Sequence, residues 1–260
     1  MQNNPVKIKI CGLTRQQDIE AVNAARPDYI GFVFAPSRRQ VTLAQACELR
    51  AGLHKDIVPI GVFVDASIDM IVSAVNAGAI DAVQLHGAED EAFIAALRVG
   101  LQNAMAELMH NRAKTVWRDN AMQHSNALYP CASVHIPVIK AVSVSKKGDA
   151  AAWENSTADF LLLDHKGGGT GEAFDWSLIG NVKKPFFLAG GLSPQNAAAA
   201  CAIKTDADVS TDIPLVADIS PISSAIIRPY ALDVSSGIES TPGVKCPKKI
   251  MEFVCNVRQA

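Results

Sequence analysis

A closed (β/α)8 TIM barrel is the fold that this sequence predicts, and three observations predict it. Eight short apolar runs alternate with segments of helical periodicity along the chain. Polar residues with chemistry to offer follow these runs: Cys11, Arg39, Asp65, His86, Asp164, the pair Gly190–Gly191 and the pair Ser235–Ser236. In a barrel they share one rim, where catalytic groups collect, whereas scattered surface groups need not recur at the same end of successive strands. The third observation is a glycine-rich turn after each of the last two strands, which a doubly wound open sheet leaves unexplained.

The first strand is the alternating run from Lys7, which delivers Cys11 to a loop through Gly12. Thr14 and Gln17 then have capping-box spacing, and Ile19, Val22 and Ala25 recur at helical intervals. Tyr29 to Phe34 is the second strand, followed by Pro36-Ser37-Arg38-Arg39 and a helix opening at Thr42 with Gln45 in capping position. Val58 to Val64 is the third, ending at Asp65, with a helix from about Ser67. Ala82 to Leu85 is the fourth, ending at His86-Gly87. Pro137 to Val144 is the fifth, Asp159 to Leu163 the sixth, ending at Asp164, and Pro185 to Ala189 the seventh. Pro229 to Val234 is the eighth, ending at Ser235-Ser236-Gly237.

With 260 residues, 49% of them hydrophobic and 19% charged, the chain can bury a full core as a single domain over 1–260. A formal net charge of -2 with no long basic run gives no electrostatic footprint for nucleic acid or an anionic membrane. No apolar run approaches the ~20 residues of a membrane span, and the polar opening does not resemble a signal peptide. A cytoplasmic protein acting on a small molecule is the expectation. Six dispersed cysteines without a Cys-x-x-Cys pair argue against zinc or a disulfide framework, and His124, Cys131 and His135 lack a recognised ligand spacing.

Cys11 at a strand end sits where α/β folds place their chemistry, although a free cysteine is as often a small buried hydrophobe. Gly190-Gly191-Leu192-Ser193-Pro194 ends a strand and opens a helix, with Ser193 expected as N-cap and Pro194 at its first position. Gly190, Gly191, Ser235, Ser236 and Gly237 together have the character of a phosphate site. Lys166 to Gly171 is a candidate lid or a plain linker. It lacks the ending of a P-loop.

Lys9-Ile10-Cys11-Gly12-Leu13-Thr14, Gly31-Phe32-Val33-Phe34 with Ser37 and Arg39, Gln84-Leu85-His86-Gly87, Leu163-Asp164, Phe174-Asp175-Trp176, Gly190-Gly191-Leu192 with Pro194 and Asn196, and Asp233-Val234-Ser235-Ser236-Gly237 occur in this order. Over nearly the whole chain they resemble the phosphoribosylanthranilate isomerase family of tryptophan biosynthesis. The resemblance implies a (β/α)8 enzyme performing an Amadori rearrangement of N-(5-phosphoribosyl)anthranilate without metal or cofactor. Cys11 then matches the general base and Asp164 the general acid. Arg39, one variable residue beyond Ser37, matches the arginine that holds the substrate carboxylate, with Arg38 in the variable position. His86 is a further substrate contact. A monomer or weak homodimer is expected.

Two stretches depart from the family pattern, about 101–135 and 204–227, both ahead of a strand and therefore on the face opposite the chemistry. Met105, Leu108, Met109 and Arg112 in the first have the spacing of a short surface helix or oligomer contact. The related isomerase of histidine biosynthesis is the rival within enzymes; such proteins carry aspartate where Cys11 stands and show a half-barrel repeat not seen here. A catalytically silent phosphate-ligand barrel is the rival from another class. The chemistry itself asks for one acid, to protonate the sugar ring oxygen, and one base, to remove the proton from the adjacent carbon. Cys11 at its ordinary pKa would be only a few per cent thiolate at neutral pH and needs help from its surroundings, and Asp164 would be almost wholly ionised, so to act as an acid it needs burial or the substrate's own negative groups.

Overall fold

Strand alternation decides which side chains fill the interior and which meet the helices. The structure, a computed structural model, describes residues 5–118, 135–165, 175–203 and 228–260. Its strands are β1 Lys7–Cys11, β2 Tyr29–Val33, β3 Val58–Phe63, β4 Ala82–Leu85, β5 Val138–Val144, β6 Phe160–His165, β7 Phe186–Leu188 and β8 Ala231–Val234. All are parallel and pair in sequence order, and β8 returns to β1 with Lys9 opposite Asp233, closing the barrel as expected. The helices are α1 Gln16–Ala25, α2 Leu43–Ala51, α3 Ile68–Asn76, α4 Glu91–Arg118, α5 Ala197–Cys201 and α6 Pro247–Gln259. Single 3-10 turns at Ala151–Trp153 and Trp176–Ile179 stand where helices were expected after β5 and β6.

One set of alternate residues, including Ile8, Ile10, Ile30, Phe32 and Val83, packs outward against Ile19, Val22, Ile71, Leu97 and Phe253 of the helices. The other set fills the barrel: Ile60, Ala82, Ile139, Leu162, Phe187 and Ala231. Tyr29, Phe160 and Tyr230 gather around Phe187 with ring centroids 5.5, 5.5 and 5.6 Å away. Tyr29 and Phe160 are the first residues of their strands, so these rings plug the amino end, and the polar rim lies at the other mouth. Phe187→Ala would open a cavity in this plug, and urea unfolding should show a loss of about 3–5 kcal/mol. The affinity of the folded protein for a product analogue should not change, because the rim is at the opposite end.

Local capping departs from expectation in two places. At α2, Thr42 and Gln45 form the expected reciprocal box, with Gln45 N–H donating to Thr42 Oγ1 at 3.2 Å and Thr42 N–H to Gln45 Oε1 at 2.8 Å. At α1 the cap is one residue later than the Thr14–Gln17 spacing predicts: Arg15 is the N-cap, and buried Asp18 accepts the N–H groups of both Thr14 and Arg15 at 3.1 Å. A carboxylate can accept two donors at once, which the Gln17 amide would do less strongly. After β7, Ser193 is not a helix N-cap. Asn196 accepts from Ser193 N–H and donates to the Gly191 carbonyl, which closes a turn and delays regular helix until Ala197.

The expected short helix near Met105 is instead part of the continuous α4, whose Leu101 and Ala104 are buried. Residues 119–134 and 204–227 of the expected insertions, the candidate lid from Lys166 to Gly171, Phe174, and His124 and Cys131 lie outside the described residues. The described chain leaves α4 and α5 for these stretches and resumes ahead of β5 and β8, on the amino side of the strands. Among the described residues no helix is long and apolar enough to cross a membrane, and no group of three or more His, Cys, Asp and Glu is placed to hold a metal ion.

Candidate active site

Cys11 is the last residue of β1, with a buried side chain. Lys9, two residues earlier on the same face, is wholly buried and its Nζ lies 3.0 Å from Asp233 Oδ2 on the neighbouring strand. Burial pulls the Lys9 pKa down, but Asp233 and the Cys11 sulfur outweigh it, so Lys9 stays an ammonium. For Cys11 burial is the largest influence and pushes the thiol up. The charges of Lys9 and Lys245 and a hydrogen bond from Lys9 oppose it, and Asp233 adds to the rise. Cys11 therefore rests as a thiol beside a cation that favours its ionised form.

Asp164 is the penultimate residue of β6, inside the strand and not just beyond it as the sequence predicts, and pairs with Ser143. Burial raises its pKa, against the pull of His86 and the His165 N–H at 2.7 Å, with Asp233 adding to the rise. His86 Nε2 lies 3.7 Å from Asp164 Oδ2. Burial lowers the His86 pKa, so its ring favours the neutral form. With the Gln84 amide nitrogen 2.8 Å from Nδ1 and donating to it, the ring proton belongs on Nε2, facing Asp164. The sequence requirement that Asp164 be raised is thus met by its own surroundings.

Arg39 reaches back over Gly12, whose backbone is left-handed with φ 81° and at which a Cβ would stand 2.4 Å from Arg39 Cδ. No other residue fits both conditions. Its guanidinium is paired edge-on with Glu239, Nε to Oε1 at 2.6 Å and Nη2 to Oε2 at 2.9 Å. Glu239 begins a hairpin, β9 Glu239–Thr241 and β10 Val244–Lys245, that follows the eighth strand. Asp65, expected on the rim, is there as a brace: Oδ1 accepts the Ala88 N–H, and its own N–H donates to Glu89.

The two glycine-rich turns touch. A Cβ on Gly237 would stand 2.0 Å from the Leu192 carbonyl oxygen, so the loop after β8 lies directly against the loop after β7, where Gly190 and Gly191 both have left-handed backbone. Ser235 Oγ donates to the Cys11 carbonyl at 3.1 Å, fastening the same turn to β1. Gly237→Ala forces these backbones apart. It should lower stability by about 1–3 kcal/mol, as overpacking does, and weaken inorganic phosphate binding, measured by calorimetry.

The fold thus brings Cys11, His86 and Asp164 to one mouth with the two turns beside them, and turns Arg39 toward Glu239. Lys9, Asp233, Glu239 and Lys245 are the polar partners that sequence reading did not assign. Lys9 could have been found by parity, since a residue two before an inward Cys11 must also face inward.

Comparison with known proteins follows the same lines. The sequence profile of the family described as N-(5'phosphoribosyl)anthranilate (PRA) isomerase matches residues 8–117 and 116–256. An N-(5'-phosphoribosyl)anthranilate isomerase of Endomicrobium trichonymphae is 37% identical over 252 residues, covering 95% of this chain and 96% of that protein. The crystal structure of phosphoribosyl anthranilate isomerase from Thermus thermophilus superposes with a TM-score of 0.68 at 26% identity, covering 98% of this chain and 99% of the other. A phosphoribosyl anthranilate isomerase in complex with reduced 1-(o-carboxyphenylamino)-1-deoxyribulose 5-phosphate superposes with a TM-score of 0.64 at 28% identity, covering 98% and 100%.

Proposed function

The chain belongs to the N-(5'-phosphoribosyl)anthranilate isomerase family, and from that premise we propose how its own residues carry the reaction. The enzyme isomerises N-(5-phosphoribosyl)anthranilate to 1-(2-carboxyphenylamino)-1-deoxyribulose 5-phosphate, an Amadori rearrangement in tryptophan biosynthesis. Asp164, whose acid form burial favours, gives its proton to the ribose ring oxygen, and the C1–O bond opens to an iminium. The thiolate of Cys11, which Lys9 favours, takes the proton from C2, and the resulting enolamine becomes the ketone as its C2 hydroxyl loses a proton and carbon 1 gains one. Neutral His86, with its Nε2–H beside Asp164, donates to a substrate oxygen at the same mouth. The phosphate rests on the backbone at Gly190, Gly191 and Gly237 and on Ser235 and Ser236; the Ser235 hydroxyl is engaged by Cys11, so Ser235 contributes through its backbone.

The observation that carries this reading is one mouth in which a buried carboxyl with raised pKa and a thiol beside a buried ammonium stand next to two abutting phosphate-type turns. Purified protein added to phosphoribosylanthranilate should abolish the substrate's fluorescence at a rate proportional to enzyme concentration. An unchanged signal would reject the assignment.

Arg39 holds the anthranilate carboxylate with the guanidinium edge that Glu239 leaves open. Hydrogen bonds to charged groups contribute about 1.5–3 kcal/mol, so Arg39→Ala should cost on the order of 10- to 100-fold in kcat/KM. Arg38→Ala should cost far less, and steady-state kinetics showing Arg38→Ala as the more damaging would reverse the assignment within this loop. The enzyme acts in the cytoplasm on a small phosphorylated substrate. Its large exposed apolar side chains among the described residues, Val64, Met70, Val99 and Met251, are few, which supports a monomer or weak homodimer, measurable by sedimentation.

A further inference from the structure

Glu239 accepts four hydrogen bonds, which fills both carboxylate oxygens. Oε1 receives Arg39 Nε at 2.6 Å and Lys245 Nζ at 2.8 Å, and Oε2 receives Arg39 Nη2 at 2.9 Å and the Gly243 N–H at 3.0 Å. The Lys245 side chain is fully buried, and its ammonium also donates to the Ser235 carbonyl at 3.0 Å and the Ser235 hydroxyl at 3.3 Å. The cluster is held from behind as well, by Lys249 Nζ on the Glu239 carbonyl at 2.8 Å. Burial alone would raise the Glu239 pKa, but the hydrogen bonds from Arg39, Lys245 and Gly243 outweigh it and push it down to about 2, so it is a carboxylate throughout the working range. Beside Arg39 a cavity of about 430 Å3 opens, lined by Arg38, Arg39, Ser236 and Glu239 among others.

A carboxylate placed next to a site for another carboxylate is repulsive unless something offsets it. Lys245 supplies that offset: burial lowers its pKa, and the hydrogen bond and charge of Glu239 work against that fall to keep the ammonium. Arg39, Glu239 and Lys245 together carry one net positive charge, which matches the single negative charge of an aryl carboxylate. The Nε–Nη2 edge of Arg39 is occupied by Glu239, so Nη1 and the second Nη2 hydrogen form the edge left for a ligand. A free arginine side chain would have to be ordered at each binding event, and here the rotamer is fixed in advance.

We infer that Glu239 and Lys245 are specificity-determining positioning residues, which fix Arg39 with one edge outward and set the local charge so that the site selects a substrate carrying a carboxylate on its aromatic ring. This rests on the reading that Arg39 holds that carboxylate. Through Ser235 the same strut ties the carboxylate end of the site to the phosphate turn and to the Cys11 backbone, so the two ends of the substrate are held at a fixed separation.

The test compares kcat/KM for phosphoribosylanthranilate with kcat/KM for the same phosphoribosylamine built on aniline, which lacks the carboxylate. Glu239→Gln should reduce the ratio of the two by tenfold or more, mainly through KM for the carboxylated substrate, while the aniline substrate changes by less than threefold; Lys245→Met, which also loosens the phosphate turn and removes a charge near Cys11, should lower turnover of both substrates and still reduce the ratio by tenfold or more. Glu239→Asp, which keeps the charge but withdraws the carboxylate by one methylene, provides a variant with the least risk to folding and should reduce the ratio by a smaller factor. Arg39→Ala is the reference for complete loss of selection. If Arg39→Ala lowers the ratio and the Glu239 and Lys245 variants leave it unchanged, or lower both substrates alike, the positioning role is rejected. If Arg39→Ala itself leaves the ratio unchanged, the carboxylate assignment fails and the inference falls with it.

Discussion

Asp164→Asn should slow turnover by about 10²–10⁴-fold, the usual contribution of a positioned acid. The amide keeps the shape and the hydrogen-bonding surface next to His86 and the His165 N–H but cannot release a proton to the ring oxygen. The pH profile carries the sign of the effect. Below both pKa values Asp164 and Cys11 hold two protons, and above both they hold none. On the proposed mechanism the productive form has one proton, carried by Asp164. The rate of the unmodified enzyme should therefore rise with pH through the Asp164 pKa and fall through that of Cys11. Because burial raises Asp164, the rising limb should lie at higher pH than an exposed aspartate would give. Asp164→Asn should remove the limb at the Asp164 pKa, and whatever activity remains should rise through the Cys11 pKa, where the thiolate forms. A profile that keeps the lower limb would assign it to another group, with His86 nearest.

Cys11→Ala should be at least as damaging, because it removes the group assigned to take the C2 proton. Burial disfavours the thiolate, and the fully buried Lys9, with a smaller contribution from Lys245, counters it. The reactive form with thiolate and carboxylic acid is a minor arrangement of the one-proton state, and an ammonium hydrogen-bonded to the sulfur increases its share. Iodoacetamide should modify Cys11 faster as pH rises through its elevated pKa, and modification should abolish activity in proportion. Near wild-type turnover by Cys11→Ala would remove the thiol from the mechanism.

The barrel was legible wherever the signal is local. Ala82 to Leu85 is a strand with the expected ends because a short run, apolar but for Gln84, stops at His86-Gly87, and Thr42 with Gln45 caps α2 because both partners lie within one turn. The α1 cap was misread by one residue because a carboxylate three residues on competed with the glutamine that the spacing favours. Ser193 was misread because Asn196 closes a turn through its side chain, a choice that propensity does not resolve. The site divided along the same line. Cys11 and Asp164 could be read from where strands end, but the pairing of Lys9 with Asp233 joins residues 224 apart and that of Arg39 with Glu239 residues 200 apart. Such partners become neighbours only once β8 has closed on β1. Their charges are unremarkable in the linear sequence, and they acquire a role only through burial.

The central claim is that Cys11 and Asp164 act on the transition state while the turns at Gly190–Gly191 and Ser235–Gly237 hold the ground state. The most direct measurement sets the affinity of the reduced product for Cys11→Ala and Asp164→Asn, by calorimetry, beside their single-turnover rates. Affinity within a few-fold of the unmodified enzyme, with rates lower by about 10²-fold or more, is the predicted result, since an interaction made only in the transition state lowers rate without lowering binding. Affinity that falls in step with rate, or rates that survive both substitutions, would contradict it.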